Sequence, residues 1–128
     1  MHMYQQDDDK REFLRVDHEK PLNFRELKAN KLSNRSEVLA RNVSASGLLF
    51  RTEQVPPALS SMLWVELDQK MISICSEIEE DLLIKNNGVL GRVVRIAEGE
   101  PSLSYDVGVC FLRKKDMSEE EVNTLMEN

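Results

Sequence analysis

An alternation of apolar and polar side chains with period two, broken at short intervals by turn formers, limits what this chain can fold into more than any other feature. Leu22 and Phe24 alternate with Asn23 and Arg25 directly after Pro21, which suits an edge or the start of a strand. Val38 and Ala40 alternate with Leu39 and Arg41 until the pattern stops at Asn42. It resumes with Leu48, Phe50 and Thr52 on one face, and Asn42-Val43-Ser44-Ala45-Ser46-Gly47 between them supplies a hairpin. Pro56-Pro57 precedes a further alternating set, Leu63, Val65 and Leu67. Stretches 88–96 and 105–112 follow, joined by the turn signal Glu98-Gly99-Glu100-Pro101. Five or six short strands separated by turns predict a small barrel or sandwich.

Two segments leave this pattern. Between Met71 and Lys85, Ile74, Ile78 and Leu82 recur at four, yet Ile72 and Ile74 also alternate, so periodicity does not decide between helix and strand. The expectation here is strand, turn, strand, with Glu79, Glu80 and Asp81 at the turn. At the C-terminus, Ser118 stands as a cap with Glu121 at the capping-box position, and Val122, Leu125 and Met126 form one apolar stripe. That predicts a short terminal helix packed on the barrel.

At 128 residues the chain has room for one domain. Surface scaling buries about two thirds of the unfolded surface at this size, enough for a core without staples. No apolar run approaches the roughly 18 residues that a membrane span requires. The polar N-terminus runs into Asp7, Asp8 and Asp9, the opposite of a signal peptide, so a soluble cytoplasmic domain without membrane insertion is expected. With 23 acidic against 17 basic residues and a net charge of −6, the chain lacks the basic field that binds long nucleic acid. A small anion held by a few local arginines stays open.

Catalytic machinery is not visible. Ser44 and Ser46 near Gly47 lack the preceding glycine of a nucleophile elbow, and the two histidines, His2 and His18, both lie upstream. Glu79-Glu80-Asp81 and Glu119-Glu120-Glu121 read as solvated runs. Cys75 and Cys110 form no Cys-x-x-Cys pair and sit among apolar neighbours, so free buried thiols are expected, with no metal and no cofactor. The chain reads as a non-enzyme.

The arginines carry more information. Arg11-Glu12-Phe13-Leu14-Arg15 is an R-x-x-x-R segment just before the first strand. With nine arginines, about 0.6 such pairs arise by chance, so the spacing alone means little. Asn42-x-Ser44-x-x-Gly47 is rarer, at roughly 0.05 chance occurrences. The two occur in the order that marks the PilZ domain, the bacterial receptor module for the second messenger cyclic di-GMP, and the chain resembles that family. Gly91-Arg92-Val93-Val94-Arg95 looks like its G-x-V-x-R strand, and Val107-Gly108-Val109-Cys110-Phe111 is similar to its closing V-G-V-x-F strand. The resemblance covers about residues 10–113.

The resemblance implies a mainly β fold, a six-stranded antiparallel barrel with a short C-terminal α-helix. It divides the chain into a flexible acidic tail (1–9), a barrel domain with the Arg11–Arg15 loop (10–115) and the helix (116–128). It further implies that cyclic di-GMP is the ligand, held by Arg11, Arg15, Asn42, Ser44, Gly47 and Arg95. The chemistry is coherent: a guanidinium pairs bidentately with guanine O6 and N7, each pair giving about 1–3 kcal/mol of discrimination. It also stacks on a base or neutralises a phosphate. Asn42 would face the guanine N1 and N2 donors with one acceptor oxygen where an aspartate offers two. Its alternative is a plain Asx turn, and Ser44 has the same alternative. Gly47 permits positive φ or close approach. Arg95 either reaches the ligand or is an outward strand charge, and Trp64 is expected to pack rather than to stack on a base.

The leading expectation is therefore a cyclic di-GMP receptor whose arginine loop closes over ligand and whose changed surface an unidentified downstream protein reads. The alternative is a PilZ-fold protein–protein adaptor that does not bind nucleotide. Monomer and homodimer are both compatible with the sequence.

Overall fold

The computed structural model describes residues 13–14, 20–28, 31–33, 35–98 and 103–126. In chain order its elements are β1 (Phe13–Leu14), β2 (Lys20–Lys28), β3 (Lys31–Leu32), β4 (Ser36–Ser44), β5 (Gly47–Thr52), β6 (Met62–Glu66), α1 (Gln69–Ile78), β7 (Ile84–Lys85), β8 (Gly88–Glu98), β9 (Tyr105–Phe111) and α2 (Glu119–Met126). Strands pair antiparallel in the order β4-β5-β9-β8-β6-β2, and β2 pairs back onto β4, with Leu22 opposite Val38 and Phe24 opposite Ser36. The result is a closed six-stranded barrel with a short C-terminal helix. β1, β3 and β7 are two-residue additions to its rim.

The alternation seen in the sequence becomes inside and outside. Phe24, Val38, Ala40, Leu48, Phe50, Leu63, Val65, Val89, Val93, Val107, Val109 and Phe111 fill one interior cluster. Phe24 and Phe50 stack there with ring centroids 5.2 Å apart. Burial of each such large side chain stabilises by about 1.5–3 kcal/mol relative to exposure.

Strands β4 and β8 each carry one extra residue. On β4, Ala40 opposes Phe50 and Asn42 opposes Leu49, so Arg41 is the insertion. On β8, Val93 opposes Val109 and Arg95 opposes Gly108, so Val94 is the insertion. Bulges of this kind bend a strand and re-aim its side chains. The alternation that stops at Asn42 is thus a bulge within a strand that runs on to Ser44, and the hairpin turn itself is only Ala45–Ser46.

A second apolar cluster lies on the outer wall. Trp64, Leu83, Leu90, Leu112 and Val122 pack together, with Met117 at their margin, and α2 covers them. Trp64 is a packing residue, as expected, with its indole N–H donating to the Lys85 carbonyl at 3.0 Å.

Residues 71–85 correct the expected strand-turn-strand. Gln69–Ile78 is a helix, followed by a turn at Glu80–Asp81 and the short β7. Asp68 caps it, its Oδ1 accepting from the Met71 N–H at 2.8 Å. Met71, Ile72 and Cys75 then meet the barrel core along one helical face, which the Ile72–Ile74 alternation conceals. The cap three residues before Met71 is the signal that favours the helix.

At the other end the capping box forms as the sequence indicates. The Ser118 N–H donates to Glu121 Oε1 at 2.9 Å, and the Glu121 N–H donates to Ser118 Oγ at 3.1 Å. The Ser118 backbone N–H first, and the Ser118 hydroxyl second, hold the Glu121 carboxyl below the usual carboxylate range. A depressed folded-state pKa stabilises the protein above the unfolded value, and the contribution disappears as pH falls through the folded value. Wild type should therefore melt above Glu121→Gln at neutral pH, and the difference should vanish on acidification below about pH 4. Paired thermal melts from pH 7 to pH 3 test this, and a gap that widens in acid contradicts it.

Candidate functional site

The two bulges flank the two central strands of one outer wall, and together they make its most distinctive surface. Asn42 on β4 stands opposite Leu49 on β5, Leu49 opposite Gly108 on β9, and Gly108 opposite Arg95 on β8. Four residues from four strands thus form one row across the sheet. Three interstrand steps place its ends about 14 Å apart. Each bulge turns two consecutive side chains outward, Arg41 with Asn42 at one end and Val94 with Arg95 at the other. Gly108, without a side chain, lowers the floor between Leu49 and Arg95.

The row runs through a concavity of about 390 Å³ that Asn42, Ser44, Gly47, Leu49, Arg95 and Cys110 help to line. The β4–β5 turn closes one end of it. Ser44 is buried there, its hydroxyl donating to the Gly47 carbonyl at 3.3 Å and accepting from the Ser46 N–H at 3.2 Å. Its Oγ also lies 3.0 Å from Ser46 Oγ. The Ser44 hydroxyl therefore shapes the turn, and the exposed Ser46 is the hydroxyl on the concave side. Sequence reading left Ser44 open between ligand and turn and gave Ser46 no ligand role.

Gly47 is required by close approach. A Cβ added there would fall directly onto the Val109 carbonyl oxygen of the neighbouring strand. None of the described glycines has positive φ, so the alternative reason for a glycine at this position does not apply. The Phe111 N–H reaches back to the Ser46 carbonyl at 2.9 Å and ties the turn to β9. Beneath it, the Cys75 thiol of α1 points to the Ser44 carbonyl, 3.8 Å away.

The cysteines divide. Cys75 is fully buried, and burial pushes its thiol pKa up. Cys110 is exposed, contrary to the expectation of two buried thiols. It occupies an outward position between inward-facing Val109 and Phe111, so its apolar sequence neighbours point into the core while it faces the concavity.

Arg11 and Arg15 lie outside the described residues, as does the expected acidic tail over 1–9. Phe13 and Leu14, which stand between the two arginines in sequence, pair with Ser44 and Val43 at the turn. Among the described residues no group of three or more His, Cys, Asp or Glu side chains is placed to hold a metal ion. No described helix is long and apolar enough to cross a membrane.

No family model matches the chain, and comparison with curated proteins gives no match. Among solved structures the chain is similar to the Bacillus subtilis inhibitor of motility (MotI/DgrA), with 12% identity and a TM-score of 0.44. That alignment covers 90% of this chain and 47% of the other, so this chain spans about half its length.

Two outcomes follow from this geometry. Gly47→Ala should destabilise by about 1–3 kcal/mol, because the methyl must push β5 from β9. Gly108→Ala, whose added Cβ meets Arg95 Cβ at an ordinary 3.5 Å, should be neutral or slightly stabilising, by up to about 1 kcal/mol. Urea unfolding of both variants checks the contrast, and equal midpoints contradict it. In the native protein Ellman's reagent should label Cys110 quickly and Cys75 only on unfolding. Two thiols reacting at one rate would refute the assignment.

Proposed function

We propose that this chain is a non-enzymatic receptor for cyclic di-GMP, a PilZ-type barrel that takes the dinucleotide on the Asn42–Leu49–Gly108–Arg95 row. The observation that supports the reading is convergence. Asn42, Ser44 and Gly47 from one sequence motif and Arg95 from another line one concavity. Phe13 and Leu14, inside the R-x-x-x-R segment, pair with β4 at the same turn.

The surface chemistry agrees with such a ligand. Leu49, Val94 and the bare Gly108 offer an apolar, low floor for a flat base. Asn42 supplies an amide for a guanine edge and Arg95 a guanidinium for a phosphate or for guanine O6 and N7. Arg11 and Arg15 add two further guanidinium groups, and their closure over bound ligand would change the surface that a downstream protein meets. Such a switch works only so far as ligand binds the closed arrangement more tightly than the open one. A further hollow of about 370 Å³, lined from β2, β4 and α1, presents Glu66 and Asp68 and is a poor match to a dianion.

Calorimetric titration with cyclic di-GMP, with cyclic di-AMP as control, tests the proposal. Low-micromolar or tighter binding selective for guanine is expected, together with slower Ellman labelling of Cys110 when ligand covers the concavity. Arg11→Ala and Arg15→Ala should each abolish binding and leave the melting temperature unchanged. Asn42→Ala should weaken binding by the equivalent of about 1–3 kcal/mol. A silent titration, with no thermal stabilisation at saturating ligand, would overturn the reading in favour of a protein–protein adaptor.

A further inference from the structure

The outer wall that carries this row is far more basic than the chain as a whole. Beside Asn42–Leu49–Gly108–Arg95 run two flanking rows, Gly47–Cys110–Arg92 on one side and Leu39–Arg51–Asp106–Ala97 on the other. With the bulged Arg41, these three rows hold Arg41, Arg51, Arg92 and Arg95 against the single acid Asp106, in a chain whose net charge is −6. Arg92 is turned to the Ser60 carbonyl at 3.0 Å. Arg41 and Arg51 converge instead on one oxygen of Asp106. Arg51 Nε lies 3.2 Å from Asp106 Oδ1, and the nearest Arg41 nitrogen lies 3.7 Å from it.

This trio sits one ladder step from Leu49 and Gly108, on the same face. Arg51 and Asp106 are each only 25% exposed, so the Arg51 side chain is fixed by its neighbours rather than free in solvent. Its bond to Asp106 uses Nε, which leaves the two terminal nitrogens of the fork at the outer end of the side chain. Both guanidinium groups thus approach the same carboxylate oxygen. A guanidinium oriented by a carboxylate, one ladder step from a shallow apolar floor, suits an oxyanion better than it suits a neutral group.

We propose that Arg51, oriented by Asp106 and flanked by Arg41, contacts a phosphate of the dinucleotide whose base lies over Leu49 and Gly108. This rests on the cyclic di-GMP reading and extends it, because it adds an anion contact outside both sequence motifs. Asp106 is a positioning residue: it holds Arg51 by Nε and does not itself touch ligand.

Calorimetry with cyclic di-GMP on the full chain tests the assignment, at low and at moderate salt. Arg51→Ala should bind about ten-fold or more weakly, with a shallower salt dependence. Arg51→Lys should fall between the two, since it keeps the charge and loses the fork. A double variant, Arg51→Ala with Asp106→Ala, leaves no unneutralised carboxylate and should stay at least ten-fold weak. Recovery of wild-type affinity in that variant would mean that Arg51 only neutralises Asp106, and the proposal would be overturned. Arg51→Ala binding within two-fold of wild type overturns it as well, while wild type still binding keeps the receptor reading intact. No binding by wild type overturns both. Urea midpoints of all variants accompany the titrations, and Arg51→Lys provides a check if the alanine variant unfolds.

Discussion

Closure of the sheet through the pairing of β2 with both β4 and β6 is the constraint on which the rest of this structure depends. A closed sheet of six strands has no room inside for anything but side chains. Once Phe24, Phe50, Leu63 and their neighbours fill it, ligand chemistry is excluded from the interior and must use an outer wall. Closure also demands strands that bend, and the extra residues Arg41 and Val94 provide bends on β4 and β8. Each bend reverses the alternation for one residue and so turns two adjacent side chains outward. The same feature that lets the barrel close thus gathers Arg41, Asn42, Val94 and Arg95 at the two margins of one concavity.

The two outer walls have different fates because the C-terminal helix can cover only one. Trp64, Leu90 and Leu112 are outward-facing residues that would be an exposed apolar patch without Val122 and Met117 above them. The opposite wall carries Asn42, Arg51, Gly108 and Cys110 at the corresponding outward positions, and among the described residues no helix covers it. Its arginines could not be buried under a helix without desolvating several like charges together. Charge therefore disfavours a helix on this wall, and apolar surface draws one onto the other.

Much of this was legible in the sequence, and the misses have physical causes. Strand identity followed from period two, and the capping box of α2 followed from Ser118 and Glu121, because both signals are local. The bulge at Arg41 was read as the end of a strand, since an inserted residue breaks alternation just as a turn does. Helix α1 was missed because Ile72 and Ile74 mimic a strand while Asp68, its cap, lies just outside the ambiguous stretch. Cys110 was taken as buried from apolar neighbours, although in a strand neighbours face the other way. Arg51 and Asp106 lie 55 positions apart, and only the register of β5 against β9 brings them together. The motif residues Asn42, Ser44 and Gly47 were found by spacing, yet spacing did not show that Ser44 faces its own turn and Ser46 faces out.

The turn at the end of the concavity is held from three sides. Gly47 is pressed against the Val109 carbonyl, the Ser44 hydroxyl is occupied within the turn, and Cys75 seals it from below. A turn fixed in this way loses little conformational freedom when a ligand arrives, so its contacts add to affinity with little ordering cost. The floor formed by Leu49 and Gly108 lies in the middle of a paired ladder and is equally fixed. Under the receptor reading, the ordering cost of binding then falls on groups that are not already held by the barrel. Long arginine side chains, which carry about 2 kcal/mol of rotamer entropy each, are the groups with the most freedom to lose. Arg51, already oriented by Asp106, would lose the least of them.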